Sequence, residues 1–188
     1  MICRNCPGRS PQVLRPGRAA EGIMIRLSQL YAASAWNIYF VTAGTFARRP
    51  LFQTDRVARL FFETIFHHRS AGNYRLHEFV VMPDHFHLLL TPARDVGLER
   101  AVQLVQGRFA YRLRKELQLN LQVWEREYEA RCIRDAEDYE RCAAHIRESP
   151  VRAQLSPAAE YYAYGSACRD FELDACPLEA KPSVRLRA

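Results

Sequence analysis

Val80-Val81-Met82-Pro83-Asp84-His85-Phe86-His87-Leu88-Leu89-Leu90-Thr91-Pro92 decides how the rest of this 188-residue chain reads. Side chains alternate across a strand, so His85 and His87 project from one face of a third strand while Phe86 and Leu88 project from the other. Pro83-Asp84 supplies a tight turn between that strand and the preceding one, Tyr74 to Met82, and the two form an antiparallel hairpin. Burying two neutral imidazoles without partners costs on the order of a few kcal/mol, so the pair must be hydrogen-bonded, solvent-facing or bound to something. A divalent metal is the sharp candidate. A half-exposed strand that happens to carry two histidines on its outer face is the plain alternative.

Upstream, Trp36-Asn37-Ile38-Tyr39-Phe40-Val41-Thr42 is aromatic and β-branched and reads as the first strand, followed by a basic loop from Gly44 to Pro50. Thr54 is placed to cap a helix with apolar residues Val57, Leu60, Phe61 and Ile65, and Gly72 supplies its stop. Downstream, Leu98, Val102, Val105, Phe109, Leu113 and Leu117 recur at 3 and 4, the pattern of a long amphipathic helix. Leu121 to Ile133 reads as a fourth extended segment. Asp135 then caps a helix through Arg147 that Pro150 ends. Strand, helix, strand, strand, helix, strand is the split βαβ order, so the fold class is α+β, a ferredoxin-like sandwich with an antiparallel sheet.

Residues 1–33, rich in Pro and Gly, read as a flexible N-terminal extension, 34–167 as the domain and 168–188 as a C-terminal tail. With 48% apolar residues the chain can build a core. Its formal charge is +6, and of 27 basic residues only Lys115 and Lys181 are lysines, leaving 25 arginines whose forks suit phosphate oxygens. Nucleic acid is the leading partner class, although a GC-rich genome also enriches arginine. The candidate phosphate contacts are Arg108, Arg112, Arg114 and Lys115 on the polar side of the long helix; a merely solvated face is the alternative. The six cysteines read as free thiols of a reducing cytoplasm, and Cys3-x-x-Cys6 lacks a second half-site for zinc. No apolar run is long enough to span a bilayer, and no membrane partner is expected.

Phe40-Val41-Thr42, Arg49-Pro50-Leu51-Phe52, His77 to Leu89, Trp124 to Tyr128, Ile133-Arg134-Asp135 and Ser149-Pro150-Val151-Arg152-Ala153 together resemble the REP-associated tyrosine transposases, a branch of the IS200-like single-tyrosine HUH transposases. The resemblance runs from about Trp36 to Ala167, with Met82-Pro83-Asp84-His85-Phe86-His87-Leu88-Leu89-Leu90 its most specific block. It implies binding of hairpin-forming single-stranded DNA and a metal-dependent cut in which a tyrosine becomes joined to the 5′ phosphate. It also implies that His85 and His87 hold the cofactor, Mg²⁺ or Mn²⁺, of which imidazole suits Mn²⁺ better. The protein is expected to act as a monomer or homodimer.

One helix departs from that family. Its pattern Y-x-x-x-N-P delivers the nucleophilic tyrosine and a metal-reaching asparagine from one helix face, since residues four apart share a face. Here those positions are His145 and Ser149, followed by Pro150. Tyr139, six residues before His145, falls off that face and reads as a packing residue. Three functions remain open: an altered HUH nuclease with His145 as the catalytic group and Ser149 as the third metal ligand, a transposase relative that binds hairpin DNA without cutting it, or a cytoplasmic metal-binding scaffold.

Overall fold

The structure, a computed structural model, describes residues 37–168 and 171–176. The N-terminal extension and the Cys3-x-x-Cys6 pair lie outside these residues. Four strands, β1 (Tyr39–Gly44), β2 (Tyr74–Met82), β3 (His85–Pro92) and β4 (Glu129–Cys132), form one sheet in the order β2-β3-β1-β4 with every neighbour antiparallel. Helices α1 (Asp55–Ser70) and α2 (Leu98–Leu117) are the two crossovers, and α3 (Ala136–Arg152) follows the sheet. This is the ferredoxin-like order expected from the sequence.

Alternation along the strands divides the core in two. Val41, Ala43, Leu76, Phe79, Val81, Phe86, Leu88 and Leu90 pack under α1 and α2. Ile38, Val80, Met82 and Leu89 face the other way, against Tyr139, Cys142, Ala143 and Ile146 of α3. A register shift between Leu76 and Glu78 lets β2 place both Leu76 and Phe79 on the α1/α2 side despite their odd spacing. The first cluster is aromatic at its centre: Phe61 lies 4.9 Å from each of the Phe52, Phe86 and Phe109 rings, within the range that favours offset and edge contacts.

Four details differ from expectation. Thr54 stands at the N-cap of α1, but its side chain makes no cap bond; its carbonyl alone receives Val57 and Ala58 N–H. The fourth extended segment is a strand only over its last residues; before it, Trp124 makes an isolated bridge to Thr45 and packs its ring against Phe52, Phe61 and Phe109. Helix α3 runs through Pro150 to Arg152. Proline removes one helical hydrogen bond and does not force a stop, and the neighbouring His145 carbonyl here gains Ser149 Oγ and Arg152 Nη2 as donors. Residues 171–176, placed in the tail on sequence grounds, are packed: Phe171 stacks on Phe62 and Phe66, and Asp174 binds Arg69 and the Leu76 N–H. With the Val80 to Gly165 bridge, this return of the chain covers the β2 edge, a common protection for an open sheet edge.

Asp135 caps α3 by accepting from Asp138 N–H at 2.8 Å. Asp138, 1% exposed, joins α3 to β4 through Arg131 and also receives Arg134 and Arg141. Burial alone would raise its carboxyl, but the Arg131 hydrogen bonds, the Arg134 N–H and Arg141 overrule it and hold the group well below the usual carboxylate range. A lowered folded-state value stabilises the native state above the ordinary carboxylate value, and the contribution fades as pH falls below it. Asp138→Asn is expected to cost about 2–3 kcal/mol at neutral pH in denaturant unfolding, with the gap to wild type narrowing in acid. A gap that does not change with pH would show that the carboxylate charge is not what holds α3.

Candidate functional site

His85 and His87 share the α3 face of β3, as the alternation predicts, with ring centroids 4.9 Å apart. His145 of α3 stands edge-on to His87 at 5.2 Å, and Phe40 of β1 stacks on His87 at 5.4 Å. Helix α3 therefore brings position 145 to the histidine pair, as the spacing argument requires. Among the described residues no tyrosine ring stacks on these histidines. Tyr139 is buried with the α3 cluster, and Tyr162 donates its hydroxyl to the Val81 carbonyl.

The nitrogen partners set what each ring can do. His85 Nδ1 lies 2.6 Å from the Asp84 carboxylate, which accepts, so the neutral ring carries its proton on Nδ1 and its lone pair on Nε2. His87 Nδ1 lies 2.8 Å from Thr42 Oγ1, a consequence of the Thr42 to His87 register. Burial, then the nearby His85, His145, Arg152 and Arg48, push His87 down to about 3, so its ring is neutral at physiological pH. Neither Nε2 has a partner among the described residues. Imidazoles fixed through Nδ1 with Nε2 free are the usual form of metal-ligating histidine, so the pair fits a metal as two of its ligands.

Among the described residues a third protein ligand is not supplied. Ser149, expected to stand in for the asparagine, is buried and donates Oγ to the His145 carbonyl at 2.6 Å, one turn back along its own helix. Among the described residues no group of three His, Cys, Asp or Glu side chains is arranged to hold a metal ion. His145, expected as the catalytic group, is also constrained. Its Nδ1 lies 3.1 Å from Arg152 Nη2, and a guanidinium has no acceptor, so Nδ1 must present the lone pair. The neutral His145 ring then carries its proton on Nε2, the opposite tautomer to His85. Burial first, then Arg152 and His85, lower its proton affinity, which keeps the ring neutral.

The basic helix is elsewhere. Helix α2 packs on the sheet face opposite the histidines, so Arg108, Arg112, Arg114 and Lys115 are not brought to them. Arg112 is largely buried between Glu63 and Glu116 and also donates to the Leu60 carbonyl, which makes it a staple between α1 and α2 and removes it from the phosphate contacts. Lys115 donates to Tyr111 Oη within its own helix, while Arg108 and Arg114 are exposed.

Sequence reasoning passed over Thr42, Asp84, Arg48 and Arg152. Asp84 is adjacent to His85, and Arg152 lies seven residues after His145, two turns along one helix face, so both were within reach of pattern reading. Thr42 and Arg48 depend on strand register and on a loop. In that loop Ala47 and Arg48 adopt left-handed backbone at φ 55° and 51°, held by Thr45 Oγ1 donating to the Asp84 and Arg49 carbonyls and by Glu125 receiving Ala47 N–H. Left-handed backbone in residues with a side chain is costly, so this loop is kept in place by those bonds.

A four-stranded split βαβ sheet with two histidines on its central hairpin strand and a helix laid over them defines an HUH-type transposase domain. The chain belongs to the IS200-like transposase family: the model described as "Transposase IS200 like" matches residues 34–148, more than half of it. A solved REP-associated tyrosine transposase bound to a REP hairpin is similar in fold, with TM-score 0.60 at 18% identity, covering 81% of this chain and 92% of that one. A candidate transposase from Deinococcus radiodurans R1 has TM-score 0.46 at 19% identity, covering 65% and 88%. No curated protein matches the chain. Among the described residues no helix is long and apolar enough to cross a membrane.

Proposed function

We propose that this protein binds hairpin-forming single-stranded DNA on the histidine face of its sheet and does not cleave it through a covalent intermediate. The observation that carries this reading is the pair of replacements on α3. The ring at position 145 has its Nδ1 lone pair engaged by Arg152 and a proton on Nε2, and Ser149 Oγ is turned to its own helix backbone. Neither side chain offers the function that tyrosine and asparagine provide in the family. The hairpin part rests on family membership and on what the similar solved transposase is bound to.

His85 and His87 would hold Mg²⁺ or Mn²⁺ through Nε2, with remaining positions open to water or DNA phosphate oxygens. Bound there, the cation would neutralise phosphate charge. Asp84 and Thr42 orient the two rings, and Phe40 stacks on His87, which restricts its swing.

Hairpin oligonucleotides incubated with the protein and Mn²⁺ or Mg²⁺ separate the readings in one set of gels. The expected result is a shifted complex, salt-sensitive by about 0.7 log units per phosphate contact on a single strand, with no nick and no protein-linked DNA. Nicking with a covalent adduct would restore the nuclease reading, and mapping the adduct would identify the nucleophile. Absence of any complex with hairpins or single strands would leave a metal-binding scaffold.

A further inference from the structure

We propose that Phe171 to Cys176 is a strap buckled across the open edge of β2 by His77, and that proton uptake by His77 in mild acid releases the strap while the four-stranded sheet stays folded. The inference is independent of the DNA-binding reading and concerns groups which that reading leaves unused.

The strap joins the two sides of the sheet. Phe171 and Leu173 pack with the α1/α2 core, whereas Cys176 packs with the α3 cluster, so the segment passes from one face to the other around the β2 edge. Between them, Asp174 N–H donates to the Leu76 carbonyl at 2.9 Å, and the Asp174 carboxylate receives Leu76 N–H at 2.8 Å and Arg69 Nε at 2.7 Å. His77 stands at the crossing, where β2 shifts register, and is 3% exposed. Its Nδ1 lies 3.0 Å from the Asp174 carbonyl and its Nε2 2.9 Å from Thr91 Oγ1 of β3. A carbonyl can only accept, so Nδ1 carries the ring's proton and Nε2 receives the Thr91 hydroxyl. The neutral ring thus satisfies both partners. A second proton, on Nε2, would meet the Thr91 hydroxyl hydrogen and place a cation where water does not reach.

The surrounding charges do not offset that cation. Burial, the largest influence, lowers the proton affinity of His77, and Arg75 on β2 lowers it further. Asp174 is the nearest carboxylate, but Arg69 of α1 already neutralises it. Burial would raise the Asp174 carboxyl; Arg69 and Leu76 N–H overrule this and hold it below the usual range, so it stays ionised in mild acid. From α3, Tyr139 stands edge-on to His77 at 6.3 Å and carries no charge. Glu78 is turned to Ser166 and to Arg147 of α3, which Glu140 also meets. Burial pushes the Glu78 carboxyl up, so its own pH dependence has the opposite sign. With the strap open, His77 regains its ordinary value of about 6.5. The closed strap is therefore fully favoured above that value, and each pH unit below it multiplies the open fraction by up to about tenfold. Local opening costs less than global unfolding, so the sheet survives the release. Opening bares the Phe62, Phe66 and Phe79 rings that Phe171 covers.

Amide hydrogen exchange on the full chain between about pH 5 and 8, corrected for the intrinsic rate, tests this with the Leu76 and Asp174 amides as reporters. Their protection should fall by up to about tenfold per pH unit below about 6.5, while β1 and β3 amides keep theirs. His77→Gln, whose side-chain amide can donate to the Asp174 carbonyl and accept from Thr91 but cannot titrate, should give protection that does not change with pH. Nitrogen-15 spectra of the wild-type histidine rings supply a reading that needs no variant. His77 should be protonated on Nδ1 alone at neutral pH and should take its second proton together with strap opening. Wild-type protection that is flat with pH, or that falls equally in His77→Gln, overturns the proposal. So does a doubly protonated His77 beneath a closed strap, or loss of protection in β1 and β3 alongside the strap.

Discussion

His145→Tyr combined with Ser149→Asn is expected to give a protein that nicks hairpin DNA with Mg²⁺ or Mn²⁺ and becomes attached to it, whereas the unmodified chain is expected to form no covalent adduct. The ring at position 145 already stands 5.2 Å from His87, so a phenol there enters the same site. Its hydroxyl oxygen would attack the scissile phosphorus and release the phenolic proton to solvent. The bond from phosphorus to the 3′ oxygen would break, and that oxygen would leave as a hydroxyl after taking a proton. The product is a phosphotyrosine link to the 5′ phosphate, which conserves the phosphodiester energy for rejoining. The Ser149→Asn change removes the present Ser149 Oγ bond to the carbonyl of residue 145, and the longer amide reaches further toward His85 and His87. Arg152, freed from His145 Nδ1, can donate to the phenol oxygen and favour its ionised form. His85→Ala in that background should reduce nicking by about a hundredfold or more, because electrostatic stabilisation of the developing charge is lost. A gel that resolves protein-linked DNA reads both effects. If the double variant folds and binds the hairpin but never nicks it, the departure from the family extends beyond these two side chains.

Phe61→Ala should produce the largest loss of stability, about 3–5 kcal/mol in denaturant unfolding. The ring is fully buried and meets Phe52, Phe86, Phe109 and Trp124, which come from the loop, the histidine strand, α2 and the segment before β4. Removing it leaves a cavity that four aromatic rings cannot close without leaving their own contacts. Phe61→Leu keeps most of the volume and should cost less than half as much. Because Phe86 lies between His85 and His87 on the opposite side of β3, the cavity should also loosen the histidine pair. A small effect from Phe61→Ala would mean that the cluster re-forms around the gap.

The local pattern of the chain was sufficient for the order of strands and helices and for His85 and His87 sharing one face. Alternation through His85-Phe86-His87-Leu88 needs no knowledge of neighbours, and the 3 and 4 spacing from Leu98 to Leu117 is a property of one helix. For His145 and Ser149 the spacing of four establishes only that the two share a helix face; their match to the family's tyrosine and asparagine is what the resemblance implies. What the tertiary structure alone decided is the state of each polar atom. Opposite tautomers of His85 and His145 follow from one ring meeting a carboxylate and the other a guanidinium, and neither partnership is fixed by residue type. Arg112, expected among the phosphate contacts, is instead bound by Glu63 and the Leu60 carbonyl of α1, because which side of an amphipathic helix is covered depends on what packs beside it. The covering of the β2 edge by the chain around Tyr164 to Asp174 likewise required a return across many residues to Leu76 and Val80, a contact with no periodic signal in the sequence.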